Sequence, residues 1–340
     1  MKPTIYDVAE KAGVSIATVS KVVNNSGRIS EKTRKKVTEI MRELDYQPSS
    51  VAAALTGKQT YTIGVLVPDI SNAFFAEVGR ALENNAREMG YAIIMCSTDY
   101  QIEREKEYLD LLLKKQVDGI IIATEQEDWK VYKNLQRKNI PHLMFSIDNL
   151  RFSSHIVTTD DVRGGYMAGR YLLDKGHTDI AIIAELNRAS GRMRLEGFKQ
   201  SLAGEGISLE EEWTVNAMST IDEAKAAARK IFSLKDRPTA VFASTDLIAA
   251  ILINESRKVN IRIPQDLSIV GFDNTIYAEL ADPGLTTIAQ PKEELAHYAI
   301  DQLLKLMKDP TMPQQRIMLS PMLVERNSVR SLKNIEGKPS

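Results

Sequence analysis

Between Thr4 and Asn24 the chain sets five short hydrogen-bonding side chains, Thr4, Ser15, Thr18, Ser20 and Asn24, the last four of them close in sequence to Lys21. Hydroxyls and amides of this length are suited to phosphate oxygens, and a lysine adds a mobile positive charge, so the set fits a polyanion better than a reaction. Nothing comparable exists for breaking bonds. The sequence holds no GxxxxGK[ST] phosphate loop, no GxSxG elbow and no HExxH pair, and its four histidines (142, 155, 177 and 297) lack metal-ligand spacing. The run "GGYMAG" (164–169) is glycine-rich but falls in an expected helix, where close helix packing accounts for it. Cys96, the lone cysteine, stands in the apolar run "YAIIMCST" and reads as a buried strand thiol. No catalytic residue, metal or cofactor is expected.

The phosphate-suited residues need rigid supports. Ile5, Val8, Ala9 and Ala12 follow the one-face period of a helix, Thr4 and Asp7 read as its capping box, and Gly13 must end it. Ser15 caps a second helix with Val19, Val22 and Val23 inward; Ser30 caps a third with Val37, Ile40, Met41 and Leu44 inward. Three short helices then share one small core. Residues 1–60 carry ten lysines and arginines against six acids, a net of +4, which leaves −5 for the rest of a chain whose total is −1. A basic head on a mildly acidic body again points to a polyanionic partner.

After Pro48 the stretch "SSVAAALTGKQT" is too short to be a stable helix alone and reads as a linker that folds when supported. From Tyr61 the pattern becomes apolar strand runs alternating with amphipathic helices. The strands are expected at 61–68, 91–98, 117–124, 141–147, 155–160, 179–185, 239–245, 267–273 and 285–291. Nearly continuous apolar strands are buried on both faces, hence parallel and covered by helices, and their number calls for two doubly wound lobes. The fold class is therefore an all-α headpiece followed by a two-lobed α/β core. No stretch is long and apolar enough for a membrane span, the N-terminus lacks a secretory h-region, and a cytoplasmic location is expected. The polar tail 333–340 is expected to be disordered.

Two helices joined by a tight Gly-containing turn form a helix-turn-helix unit, whose second helix enters the DNA major groove. The wording is more specific than the pattern. "TIYDVAEKAGVSIATVSKVVNN", "RISEKTRKKVTEIMRELDYQP", "VAAALTGKQT" and "TIGVLVPDISNAFF", followed by "VDGIII", "GGYMAGRYLLDKGH", "ASTDLIA", "LSIVGFDN" and "LTTIAQP", closely resemble the LacI/GalR family of bacterial transcription regulators. The likeness covers residues 2–330. It implies a homodimer on a palindromic double-stranded operator, with a headpiece (1–47), a hinge (48–59) and an effector-binding and dimerising core (60–332). The core resembles periplasmic sugar-binding proteins: lobe 1 about 60–159 and 291–320, lobe 2 about 160–290 and 321–332, with crossings near Asp160, Gln290 and Pro321.

By family position Thr18, Ser20 and Asn24 are the phosphate contacts, while Ile16, Ala17 and Lys21 face the bases. Thr4 and Ser15 would cap helices in any protein. Ile16 and Ala17 offer apolar contact only, and Lys21 replaces the arginine usual there, losing the planar fork that makes guanine recognition strict. The resemblance also implies that "AAAL" in the hinge becomes a helix on DNA, with Leu55 wedged into the central step and Ala52 beside it. Ser49 replaces a frequent asparagine. Its effector contacts map to Ser71, Phe74, Phe75, Ser146, Thr159, Arg194, Thr245, Asp273 and Gln290, with Arg194 and Asp273 as the leading polar pair; Asp246 is read as a helix N-cap. Ser146 stands where many sugar-responsive members have aspartate, and Ala217 where an aromatic often stacks. A sugar, a phosphorylated sugar, a larger metabolite and a phosphoprotein corepressor therefore stay open as effectors, as do repression and activation. A dimer is favoured over a tetramer because the short tail lacks heptads.

Overall fold

The computed structural model describes residues 3–23, 26–46, 59–125, 130–147 and 154–333. The chain divides into two compact units, Met1–Thr60 and Tyr61–Ser340. The first holds α1 (Ile5–Ala12), α2 (Ile16–Val23) and α3 (Glu31–Glu43) around fully buried Val8, Ala12, Val19 and Val37. Asp7 accepts from both the backbone N–H and the hydroxyl of Thr4, and Ser30 accepts from the N–H of Thr33. Gly13 closes α1 at φ 63°, a left-handed conformation that a side chain would strain. The linker residues 48–58 and the tail residues 334–340 lie outside the described residues.

The second unit is built on two six-stranded sheets. One comprises β1 (Thr62–Val67), β2 (Ala92–Ser97), β3 (Gly119–Ile122), β4 (His142–Phe145), β5 (His155–Thr159) and β11 (Arg316–Leu319), in the order 11-5-4-3-1-2 and wholly parallel. The other comprises β6 (Ile180–Ala184), β7 (Thr214–Asn216), β8 (Ala240–Ala243), β9 (Ser268–Asp273), β10 (Thr286–Ala289) and β12 (Met322–Val324), in the order 12-10-9-8-6-7. The expected strands of this sheet are parallel, and β12, which lies outside the nine expected runs, pairs antiparallel with β10 at the edge. Otherwise parallel sheets commonly carry one antiparallel edge strand.

Alternation along the strands feeds two cores per sheet. Ile63, Val65 and Val67 pack with α4 (Ala73–Glu88) and α12 (Lys292–Lys308), whereas Leu66 packs with α5 (Ile102–Lys114) on the opposite face. In the second sheet Ile180, Ile182 and Phe242 face α7 (Asp161–Asp174) and α8 (Ala189–Ala203), while Ala181, Ile183 and Val241 face α9 (Ile221–Ser233) and α10 (Asp246–Lys258). The chain passes from the first sheet to the second after Thr159, returns after Ala289 and crosses again between Leu319 and Met322.

The glycine-rich run lies inside α7, against α8. A Cβ at Gly165 would stand 1.9 Å from the carbonyl oxygen of Arg194, and one at Gly197 would stand 1.8 Å from that of Val162. Glycine there lets two helix backbones nearly touch, which fixes Arg194 of α8 beside Asp161 of α7.

Candidate functional site

In a doubly wound sheet, ligands bind beyond the carboxyl ends of the strands, where the strand order reverses. Both sheets have that reversal, between β1 and β3 and between β6 and β8. A cavity opens between the lobes at these ends. Its wall takes Pro68 after β1, Tyr100 after β2, Ala123 and Glu125 after β3, Ser146 after β4, Glu185 after β6, Thr245 after β8, Asp273 at the end of β9 and Gln290 after β10. Helices α4 and α8 contribute Phe74, Phe75, Met193 and Arg194. The cavity volume is ≈ 80 Å³, below the roughly 300–1,000 Å³ of a typical small-molecule site, so a ligand of sugar size enters only as the lobes part.

A buried polar network forms the floor. Arg194 Nε donates to Asp161 Oδ1 at 2.7 Å and Nη1 donates to the carbonyl of Ser244 at 2.5 Å, with Asp273 Oδ1 3.5 Å away. The guanidinium lies 3.6 Å from the centroid of the Phe272 ring. Gln290 Nε2 donates to Asp273 Oδ1 at 2.7 Å, and Thr159 Oγ1 donates to Gln290 Oε1 at 2.6 Å. Asp161 thus holds the guanidinium closely, and Asp273 stands at its edge on the cavity floor. Burial pushes Asp273 up to about 8, Arg194 working against that rise. Burial likewise raises Asp161, opposed by Arg194. Burial also disfavours the charge of Arg194, but Asp161 and Asp273 outweigh it and hold the guanidinium charged.

The backbone is strained where it meets the cavity. Asp273 has φ 108°, Asn274 φ 51° and Ser146 φ 56°. Positive φ in residues with side chains persists only where surrounding contacts over-determine it, and such positions cluster at ligand sites.

Three contacts join the lobes across the mouth. Helix α8 has no side-chain cap of its own; Glu125 of the first lobe supplies one, Oε2 accepting from Ala189 N–H at 2.8 Å while Oε1 pairs with Arg192 at 3.2 Å. Arg188 stacks on Tyr100, guanidinium carbon to ring centroid 4.0 Å. Glu77 of α4 accepts from the N–H of Ile276 at 2.9 Å and pairs with Lys292.

The structure sorts the expected effector residues. Phe74, Phe75, Ser146, Arg194, Thr245, Asp273 and Gln290 line the cavity. Ser71 does not: its N–H and hydroxyl both turn to Asp69 Oδ1, at 2.8 and 2.7 Å. Thr159 stands behind the wall, orienting Gln290. Asp246 is not a cap, which is a correction. Thr245 occupies that position, its hydroxyl accepting from Ile248 N–H, whereas Asp246 accepts from the N–H and hydroxyl of Thr275 and the hydroxyl of Thr287. In "STD" two cap-forming residues are adjacent, and only the geometry chooses between them. Ala217, the position of a frequent stacking aromatic, is buried in the core of the second lobe. Sequence reasoning missed Asn72, Tyr100, Glu125, Asp161, Glu185, Arg188, Ser190 and Met193. Most of these follow strand ends, a signal that marks loops but not single side chains.

In the headpiece, α2 presents a solvent-facing strip. Ser15, Ile16, Ala17 and Lys21 are exposed, Thr18 and Ser20 half-buried, and Val19 and Val22 buried on the opposite side. Ser15 Oγ accepts from Thr18 N–H at 3.2 Å and lies 2.9 Å from the Thr18 hydroxyl, so it does cap α2. Asn24, Ser49, Ala52 and Leu55 lie outside the described residues.

A profile described as "Bacterial regulatory proteins, lacI family" matches residues 4–49, and one described as "Periplasmic binding protein-like domain" matches residues 170–329. The HTH-type transcriptional regulator DegA of Bacillus subtilis (strain 168) is 42% identical over 336 residues, covering 98% of this chain and 99% of DegA. The chain belongs to the LacI family. It is accordingly a DNA-binding transcriptional regulator, not an enzyme. Among LacI-family structures, the lac repressor dimer bound to operator and the anti-inducer ONPF superposes with a TM-score of 0.87 at 28% identity, over 97% of this chain and 100% of that one. A LacI family transcriptional regulator from Enterococcus faecium with bound ribose gives a TM-score of 0.72 at 33% identity, over 80% of this chain and 100% of that one. No helix among the described residues is long and apolar enough to cross a membrane.

Proposed function

We propose that this protein is a cytoplasmic repressor that binds a palindromic operator as a homodimer and is switched by a small metabolite, a sugar or sugar derivative, in the cleft between its core lobes. The observation that carries the switch is the cavity itself. Its wall is shared by both lobes, its floor is the Arg194, Asp161, Asp273 and Gln290 network beside the interlobe crossings, and its mouth is bridged by Glu125 and Arg188. A ligand there touches both lobes at once, so it changes their relative stability and, with it, the population of the DNA-competent dimer. The ribose bound in the related E. faecium regulator and the anti-inducer in the lac repressor dimer support a small-molecule occupant.

At the DNA, Thr18, Ser20 and Asn24 hold phosphates with help from Thr4 and Ser15, Ile16 and Ala17 make apolar contacts, and Lys21 reaches a guanine edge. Ser49, Ala52 and Leu55 act from the hinge. The test is selection from random duplex DNA by the purified full-length protein at near-physiological salt. Recovery of an inverted repeat supports the reading; enrichment of no repeat, with or without added sugars, rejects it.

A further inference from the structure

Two segments of the second lobe carry the polar floor of the cleft, and both are gripped from the first lobe. Arg194 rides on α8, whose first N–H, that of Ala189, has no side-chain cap of its own and donates to Glu125 Oε2 at 2.8 Å. Asp273 ends β9, and the residues after it are held at two points. Lys292 Nζ donates to the carbonyl oxygen of Asn274 at 2.7 Å, and Glu77 Oε1 accepts from the N–H of Ile276 at 2.9 Å. Thr275, which precedes the short helix α11 (Ile276–Leu280), supplies no side-chain cap either, because its hydroxyl turns to Asp246. Glu77 Oε2 also accepts from Lys292 Nζ, so the gripping groups of α4 and α12 hold each other. The left-handed backbone at Asp273 and Asn274, φ 108° and 51°, needs contacts that over-determine it, and the first lobe provides two of them. Parting the lobes removes the partners of Ala189, Asn274 and Ile276 in one motion.

We infer that Glu77 and Glu125 act together as a two-point clasp, with Glu77 the positioning residue for Asp273 and Glu125 the positioning residue for Arg194, relative to the first-lobe wall. Opening at either grip then releases the other. The inference rests on the interlobe cleft as the switched site and not on which molecule fills it.

The experiment is hydrogen–deuterium exchange of the full-length protein and its variants, without added ligand, read over 188–192 and 274–278. Losing one cap contact shifts an opening equilibrium roughly fivefold, so Glu77→Ala should speed exchange over 274–278 by about that factor. The clasp further requires a response at the far grip: Glu77→Ala should speed exchange over 188–192 at least about twofold, and Glu125→Ala should do the same over 274–278. Glu77→Gln keeps an acceptor for Ile276, loses the pairing with Lys292, and should fall between the parent and Glu77→Ala. The start of α9 is capped within its own lobe, Thr220 accepting from Glu223 N–H, so it exchanges by local fraying and should not change. Responses confined to each variant's own segment would make the two contacts separate local caps and overturn the inference. Equal acceleration at the start of α9 marks general loosening and overturns it too. Operator selection by the parent protein is independent of either result, so the regulator reading and the clasp fail separately.

Discussion

Replacing Asp273 by Asn should reverse the usual cost of altering a buried polar residue, and the size of the effect follows from the site. Asp273 is 6% exposed and accepts from Gln290 at 2.7 Å, while Arg194, its nearest cation at 3.5 Å, is held more closely by Asp161. Its folded pKa is pushed up to about 8 by burial, against 3.8 as the ordinary value. Between those two pH values the native protein keeps a proton that the unfolded chain releases. The protonated site's stability is therefore full below pH 3.8 and is lost as pH rises toward 8, by about 1.4 kcal/mol per pH unit. Asparagine is nearly isosteric with the protonated acid, keeps an acceptor for Gln290 and does not titrate. Chemical denaturation of both proteins from pH 5 to 8.5 gives the difference, in which titrating groups remote from the site cancel, while Asp246, whose charge raises Asp273, is relieved of that repulsion in the variant. The stability of Asp273→Asn relative to the parent should climb by about 1.4 kcal/mol per unit up to pH 7.5 and level off above pH 8. A flat or falling difference would show that Asp273 is ionised in the native protein and that Arg194 serves both carboxylates.

Further perturbations probe the scaffold, the latch and the hinge. Gly165→Ala would put a methyl group 1.9 Å from the backbone of α8. It should cost at least about 3 kcal/mol in denaturant unfolding of the full chain, whereas Gly206→Ala, where a Cβ meets nothing within 4 Å but φ is 73°, should cost only about 1 kcal/mol. Glu125→Ala removes the cap on Ala189 and a largely exposed ion pair with Arg192, together worth about 1–2 kcal/mol to the closed cleft. A sugar that binds the parent should then bind roughly 5–30-fold more weakly by calorimetry; unchanged affinity would mean the mouth contacts play no part in ligand retention. Leu55→Ala should weaken binding to a selected operator far more than to random duplex, measured by fluorescence anisotropy, and equal losses on both would remove the minor-groove wedge.

The sequence makes the long, symmetric features plain and hides the short, exposed ones. Each of the nine apolar runs contains an observed strand, because burial on both faces leaves a continuous hydrophobic signature. The three strands that escaped notice, β7, β11 and β12, are three or four residues long and only partly buried, so periodicity over so few positions says nothing. Side chains carried by the family's strand ends, such as Ser146, Asp273 and Gln290, could be named in advance. Tyr100, Glu125 and Arg188 could not, since what brings them together is the meeting of loops from two lobes far apart in sequence. Arg194 was legible as a charged donor, but Asp161, the carboxylate that holds it, lies 33 residues away on a helix whose close approach depends on Gly165 and Gly197. The cap at Thr245 shows the same limit at short range: adjacent Thr and Asp are equivalent in sequence and differ only in where α10 begins.

The most direct test of the account is operator affinity, measured by anisotropy on a selected inverted repeat, with and without a saturating sugar shown by calorimetry to bind. Occupancy of the cleft should shift the operator Kd by about 5–150-fold. An Arg188→Ala variant should keep the ligand-free operator affinity and need at least tenfold more sugar for the same shift. A sugar that fills the cleft and leaves the operator Kd unchanged would contradict the claim that this cavity controls the headpiece.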